Sequence, residues 1–165
     1  MSEPQNLGEL NGMEIYPMPM FVTLAVTDVN GVVAWYQSAL GFSTVFSAPA
    51  MPSSGGQPSL VHLRRRKYQD LLITPAMADA GAPPAGLTIS FNADGEVDQL
   101  AQRAKGAAPF GSSAIAGPID TPWNTRDLRV TDPVGNRLVF TARNPNANPE
   151  QVARMQEMLN RWRKP

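Results

Sequence analysis

Few residues in this chain could carry chemistry. It has one histidine, His62, and no cysteine in 165 residues. Thiolate metal sites, disulfides, iron–sulfur clusters and thiol nucleophiles are therefore excluded together, and a histidine-rich metal centre with them. His62 stands in LVHLRRR, whose alternation sets His62 and Arg64 on the face opposite Leu63 and Arg65. A lone histidine of this kind serves as a hydrogen-bonding residue, as a ligand contact or as a general base. The run Arg64 to Lys67 ends a strand and reads as a solvated hairpin. Asp127 and Asp132 flank Arg129, but a carboxylate pair for acid–base work depends on tertiary placement. No glycine-rich phosphate loop and no G-x-S-x-G elbow occurs. Lys plus Arg is 14 and Asp plus Glu is 14, so nucleic acid and anionic membranes lack the electrostatic footprint they need.

The elements that would position these residues come from periodicity. MFVTLAV (Met20 to Val26) is a strand signal; Asp28 offers an N-cap, and Val29, Val32, Val33, Tyr36 and Leu40 form one stripe of a helix that Gly41 ends. Trp35, off that stripe, is left for a partner subunit or the C-terminal helix. FSTVFSA, LVHLRRR and DLLIT follow as strands, and the Pro/Gly-rich PAMADAGAPPAG divides the domain. The pattern then begins again: Val26 to Gly41 and Phe91 to Gly106 align without a gap at an offset of 65 residues, and three more strands follow. Each half reads βαβββ. Residues 1–14 read as a flexible arm, 15–142 as one domain with repeats at about 15–75 and 86–142, and 143–165 as a tail. In that tail Asn148, Pro149 and Gln151 open a third helix striped by Val152, Met155, Leu159 and Trp162. No apolar run approaches the roughly 18–20 residues of a membrane span, and the N-terminus lacks a signal-peptide pattern, so a soluble, cytoplasmic chain is expected.

Two βαβββ modules, the run VTDVNGVVAWYQSALGF and the later PWNTRDLRVTDPVGNRLVF together resemble the vicinal oxygen chelate superfamily, the glyoxalase and bleomycin-resistance fold, over about Met20 to Ala142. The resemblance implies an α+β architecture: two modules forming a curved mixed sheet with a concave cavity, helices on the convex side, and here an added C-terminal helix. In metal-dependent members the start of strand 1 and the end of strand 4 of each module carry His, Gln or Glu. The corresponding positions are Phe21, Gly86, Leu72 and Val139, and none of these side chains can coordinate a cation.

The sequence is therefore similar to the drug-sequestering branch. That resemblance implies a homodimer with two interface cavities, free of metal and cofactor, that holds a bleomycin-, mitomycin- or anthraquinone-fused-enediyne-like aromatic antibiotic without transforming it. Trp123, in the PW motif, matches a tryptophan that stacks on the drug in relatives; the other reading is a loop-anchoring tryptophan. Phe21 and Thr23 share strand parity on the cavity face, and Gly86, Thr88 and Ser90 repeat it in the second module; the hydroxyls could equally be satisfied by nearby backbone. Phe46, Met51 and Phe110 sit where loops frame a cavity mouth, and His62, Arg64 and Leu128 complete the expected ligand contacts. Two alternatives remain: a cofactor-free cyclase, epimerase or hydrolase acting on a polycyclic metabolite, and a metal-dependent glyoxalase or dioxygenase with relocated ligands.

Overall fold

Val29, Val32, Tyr36 and Leu40 are all buried, which is the burial that an apolar helical stripe requires when it covers a sheet. The computed structural model describes residues 8–10, 12–16, 18, 20–76 and 87–162. The chain divides into two compact units, one of residues 1–84 with Gly106–Phe110, the other of 85–105 with 111–165. Among the described residues no helix is long and apolar enough to cross a membrane.

The first unit opens with a small antiparallel hairpin, β1 (Glu9–Leu10) and β2 (Met13–Glu14), inside the segment expected to be a free arm. Strand β3 (Val22–Val26), helix α1 (Val29–Leu40), β4 (Ser43–Ala50), a short 3-10 turn (Pro52–Ser54), β5 (Pro58–Arg64) and β6 (Asp70–Pro75) follow. The sheet order is β3-β6-β5-β4, with β3 parallel to β6 and the other pairs antiparallel. Helix α1 begins where the Asp28 carboxylate accepts the Gly31 N–H at 2.8 Å, and it ends at Gly41, whose φ of 72° is the left-handed turn that glycine allows. Gln57 adds a second cap from the loop, its Oε1 accepting the Val29 N–H at 2.7 Å and its Nε2 donating to the Thr27 carbonyl at 3.0 Å. Trp35 is buried within this unit, edge-on to Tyr36 with ring centroids 5.4 Å apart, so it is core rather than a partner contact.

The second unit repeats the order with β7 (Thr88–Asn92), α2 (Val97–Gly106), β8 (Ala114–Asp120), β9 (Thr125–Thr131) and β10 (Arg137–Arg143), and adds α3 (Pro149–Trp162). Its sheet runs β7-β10-β9-β8, again with the first pair parallel. The mixed α+β fold of two four-stranded modules is thus as expected. Strand β8 runs on through Pro118; an edge strand with a register shift tolerates a residue that cannot donate to the ladder. Asp132 closes the DPVGN turn, its Oδ1 accepting the N–H groups of Val134 and Asn136 at 3.0 and 2.7 Å. Asp127 instead accepts from the Thr141 hydroxyl at 2.7 Å, so the two aspartates are not a catalytic pair. The Asn148 side chain caps α3 through the Glu150 N–H at 2.9 Å; the side chains of Met155, Leu159 and Trp162 lie outside the described residues.

Sheet register refines the repeat. Val22 opposes Leu71 in the first sheet and Ile89 opposes Leu138 in the second, each residue 67 positions on; His62 opposite Leu72 and Arg129 opposite Val139 keep the same shift. The ungapped offset of 65 is two short for the sheets. Because two is the side-chain period of a strand, every face assignment survives. Phe21 thereby corresponds to Thr88 rather than to Gly86, which lies outside the described residues.

Candidate functional site

Each sheet has a helix-covered face and an open face, and the candidate site residues divide between them. On the open face of the first sheet Thr23, Leu72, His62 and Phe46 stand in one row across all four strands. Phe46 and Phe21 are exposed, as is Met51 at the start of the 3-10 turn. One row over, Asp70 and Arg64 pair on the same face. Asp70 is fully enclosed: His62 Nε2 and Arg64 Nε each lie 2.7 Å from its Oδ1, and the Tyr16 hydroxyl donates to its Oδ2 at 2.9 Å. Burial alone would push the Asp70 carboxyl up, but the hydrogen bonds from His62, Arg64 and Tyr16 outweigh it and hold it below the ordinary carboxylate value. Asp70 is therefore ionised and an acceptor only, which assigns the proton to Nε2 of His62. Burial raises the Tyr16 phenol.

The cluster ties down the end of the hairpin at Glu14 and the segment after it at Tyr16. Arg64 Nη1 donates to the Glu14 carbonyl at 2.6 Å, its guanidinium lies 4.1 Å from the Tyr16 ring centre, and Lys67 pairs with the Glu14 carboxylate at 2.9 Å. Arg64 is thus a buried structural residue and not an available ligand contact. Lys67 and Arg64 also show that the basic run is partly engaged in ion pairs rather than wholly solvated.

The open face of the second sheet carries two concavities. One, of about 370 Å³, is lined by Asn92, Trp123, Asn124, Thr125, Thr141, Ala142 and Arg143, with Val152 and Gln156 supplied by α3. Trp123 is 66% exposed there, so its indole is not a core anchor. The other, of about 470 Å³, is lined by Thr88, Arg129, Val130, Thr131, Arg137, Leu138 and Val139. Thr88 and Ser90 are exposed on this face, and neither hydroxyl has a hydrogen-bond partner among the described residues. Behind the sheet Arg126 grips Asp98 of α2 and Asp120 of β8 at 2.7 and 2.5 Å, which raises the guanidinium and lowers the Asp98 carboxyl.

Two expected contacts lie elsewhere. Leu128 is fully buried and shares a row with Phe140 and Phe91 on the helix-covered face, opposite in parity to Arg129. Phe110 packs at the start of α1, its Cζ 2.5 Å from where a Cβ on Gly31 would stand. Conversely, Asp70, Tyr16, Arg129, Arg137, Asn92, Thr141 and Gln156 are site-face residues that sequence reading passed over. The 67-residue register would have exposed Asp70 and Arg137 as mates; Tyr16, Asn92 and Gln156 carry no local signal.

The donor set does not fit a metal. Leu72 and Val139 present hydrocarbon to the open faces, Phe21 and its register mate Thr88 offer no carboxylate or imidazole, and among the described residues no three His, Asp or Glu groups are grouped to hold a cation.

Residues 20–140 match the Glyoxalase/Bleomycin resistance protein/Dioxygenase superfamily. No curated protein matches the sequence. Among solved structures, TioX from Micromonospora sp. ML1 is similar at 24% identity and TM-score 0.58, over 75% of this chain and 97% of its own. TnmS3, an antibiotic binding protein from Streptomyces sp. CB03234, aligns at 20% identity and TM-score 0.56, over 74% and 93%. A bleomycin resistance determinant encoded on the transposon Tn5 aligns at 18% identity and TM-score 0.55, over 75% and 96%. At these identities the structures speak to the fold, and the superfamily holds both enzymes and non-catalytic binding proteins. With its paired βαβββ modules, their shared register and the matched span of residues, the chain belongs to the glyoxalase/bleomycin resistance protein/dioxygenase superfamily.

Proposed function

We propose that this protein binds a flat aromatic natural product and holds it unmodified, conferring resistance by sequestration, without a metal and as a homodimer in the cytoplasm. The observation that carries the reading is Trp123. A large indole left two-thirds exposed beside a concavity with amide and hydroxyl groups of Asn92, Asn124, Thr141 and Gln156 offers a stacking surface with polar groups at its rim. An antibiotic binding protein and a bleomycin resistance determinant of like fold support an antibiotic as the ligand. A protein that only sequesters must bind tightly, in the nanomolar to micromolar range, roughly −8 to −12 kcal/mol.

The test is a tryptophan-fluorescence titration of chelator-treated protein with bleomycin, mitomycin, an anthraquinone-type enediyne and simple aromatic controls, with mass analysis of the recovered ligand. Saturable quenching near one ligand per subunit with unchanged mass is expected. Trp123→Ala should weaken binding roughly tenfold or more, since stacking contributes about 0.5–1.5 kcal/mol beyond the area it buries. Absence of binding by every member of the panel would overturn the reading.

A second reading, metal-free acid–base chemistry on a polycyclic metabolite, is favoured by one feature. Asp70 engages Nε2 of His62, and Nδ1 has no hydrogen-bond partner among the described residues. A changed ligand mass, abolished by His62→Gln, would make this protein an enzyme.

A further inference from the structure

The two modules place matching side chains at positions 67 residues apart, and at the pair Asp70 and Arg137 on the open faces the charge is reversed. Asp70 in the first sheet corresponds to Arg137 in the second, and His62 corresponds to Arg129. In the first sheet the carboxylate of Asp70 gathers Arg64 and His62 into a closed cluster. In the second sheet no carboxylate stands there. Arg137 lies opposite Thr131, and Arg129 lies opposite Val139, so the two arginines are diagonal neighbours on one face, their Cα atoms roughly 7–8 Å apart. Neither has a hydrogen-bond or ion-pair partner among the described residues, and both line the concavity of about 470 Å³. Of the acidic groups on or beside this face, Asp127 is one row away and accepts from Thr141, while Asp132 is buried in its turn.

Two exposed guanidinium groups on one concave face, with no carboxylate between them, make a local positive potential that favours an anion. Resting on the aromatic-binding reading above, we propose that Arg129 and Arg137 bind the carboxylate of an aromatic ligand, with the hydroxyls of Thr88 and Thr131 beside them. The same face continues along β10 from Arg137 through Val139 to Thr141, where the Trp123 concavity begins, a run of roughly 13 Å at the rise of a strand. An elongated ligand can therefore set its acid on the arginines and its ring on the indole. Guanidinium suits this task because its planar fork of donors matches a carboxylate.

The test uses three matched probes: anthraquinone-2-carboxylate, its neutral carboxamide and 2-(aminomethyl)anthraquinone. Each is titrated into isotope-labelled full-length protein by NMR, following the Arg129 and Arg137 Nε–H signals and the Trp123 indole N–H separately, with benzoate as a non-stacking anion. The carboxylate should move both sets of signals and bind on the order of tenfold to a hundredfold tighter than the carboxamide at low salt, with the ratio shrinking as ionic strength rises. Arg129→Gln and Arg137→Gln should each reduce that ratio, and Arg137→Asp, which restores the charge pattern of the first sheet, should reverse it. These side chains are exposed and unpaired, so circular dichroism should confirm that the variants fold. If all three probes move Trp123 but no arginine signal, or if the ratio is near one, the carboxylate site is wrong and aromatic binding stands. If the carboxylate and benzoate move the arginines without Trp123, the anion site stands and aromatic binding fails. If nothing moves, both are overturned.

Discussion

Asp70 illustrates how one buried carboxylate can organise a sheet face. With His62, Arg64 and Tyr16 all hydrogen-bonded to it, Asp70 holds two cationic or polar partners and, through Tyr16, the segment after the N-terminal hairpin. Its carboxyl is lowered in the folded state, so the stabilisation is complete above the ordinary carboxylate value of 3.8 and is lost as pH falls through the lower folded value. Urea melts between neutral pH and pH 2 should therefore show the stability gap between wild type and Asp70→Asn narrowing once the pH drops below 3.8. A gap that is constant across that range would mean that Asp70 is not held ionised. At neutral pH Asp70→Ala should cost about 3–5 kcal/mol, because it leaves the Arg64 guanidinium buried without its counter-charge.

At the scale of elements, α1 and α2 occupy the same place in their modules but are secured differently. Helix α1 is capped by Asp28 and by Gln57 reaching in from the loop after β4. Helix α2 is gripped through Asp98 by Arg126 of β9, an exposed contact worth little by itself. Asp28→Ala should lower stability by about 1 kcal/mol, read as a shifted denaturant midpoint with an unchanged slope. A change in slope would instead signal that the loop pinned by Gln57 had come away as well. Helix α3 contributes Val152 and Gln156 to the Trp123 concavity, which gives this extension a place in the site rather than a packing role alone.

For the whole molecule, Phe21, Phe46 and Met51 of the first unit and Trp123 of the second are all exposed. Singly exposed apolar side chains are ordinary on a protein surface, so their burial by a second copy needs a direct test. The proposed homodimer should appear in sedimentation equilibrium at micromolar concentration as a species of twice the chain mass. A monomer persisting at high micromolar concentration would remove the dimer from the functional scheme while leaving the cavities of the second unit in place.

The sequence by itself determined the two βαβββ modules, the helix starts at Asp28 and Asn148 and the face on which Thr23, His62, Thr88 and Ser90 stand, because periods of 3.6 and 2 and local capping chemistry are written in neighbouring residues. Parity even survived a repeat offset wrong by two. What only the tertiary structure decided depends on residues far apart in the chain. Tyr16 meets Asp70 across 54 positions and Arg64 meets the Glu14 carbonyl across 50, contacts that no local pattern encodes. Leu128 was expected to contact the ligand and Phe110 to frame a cavity mouth, but register and helix packing turned them toward the core and toward α1. Arg129 and Arg137 are eight residues apart across a turn, and only antiparallel pairing brings them onto one face without a carboxylate between them.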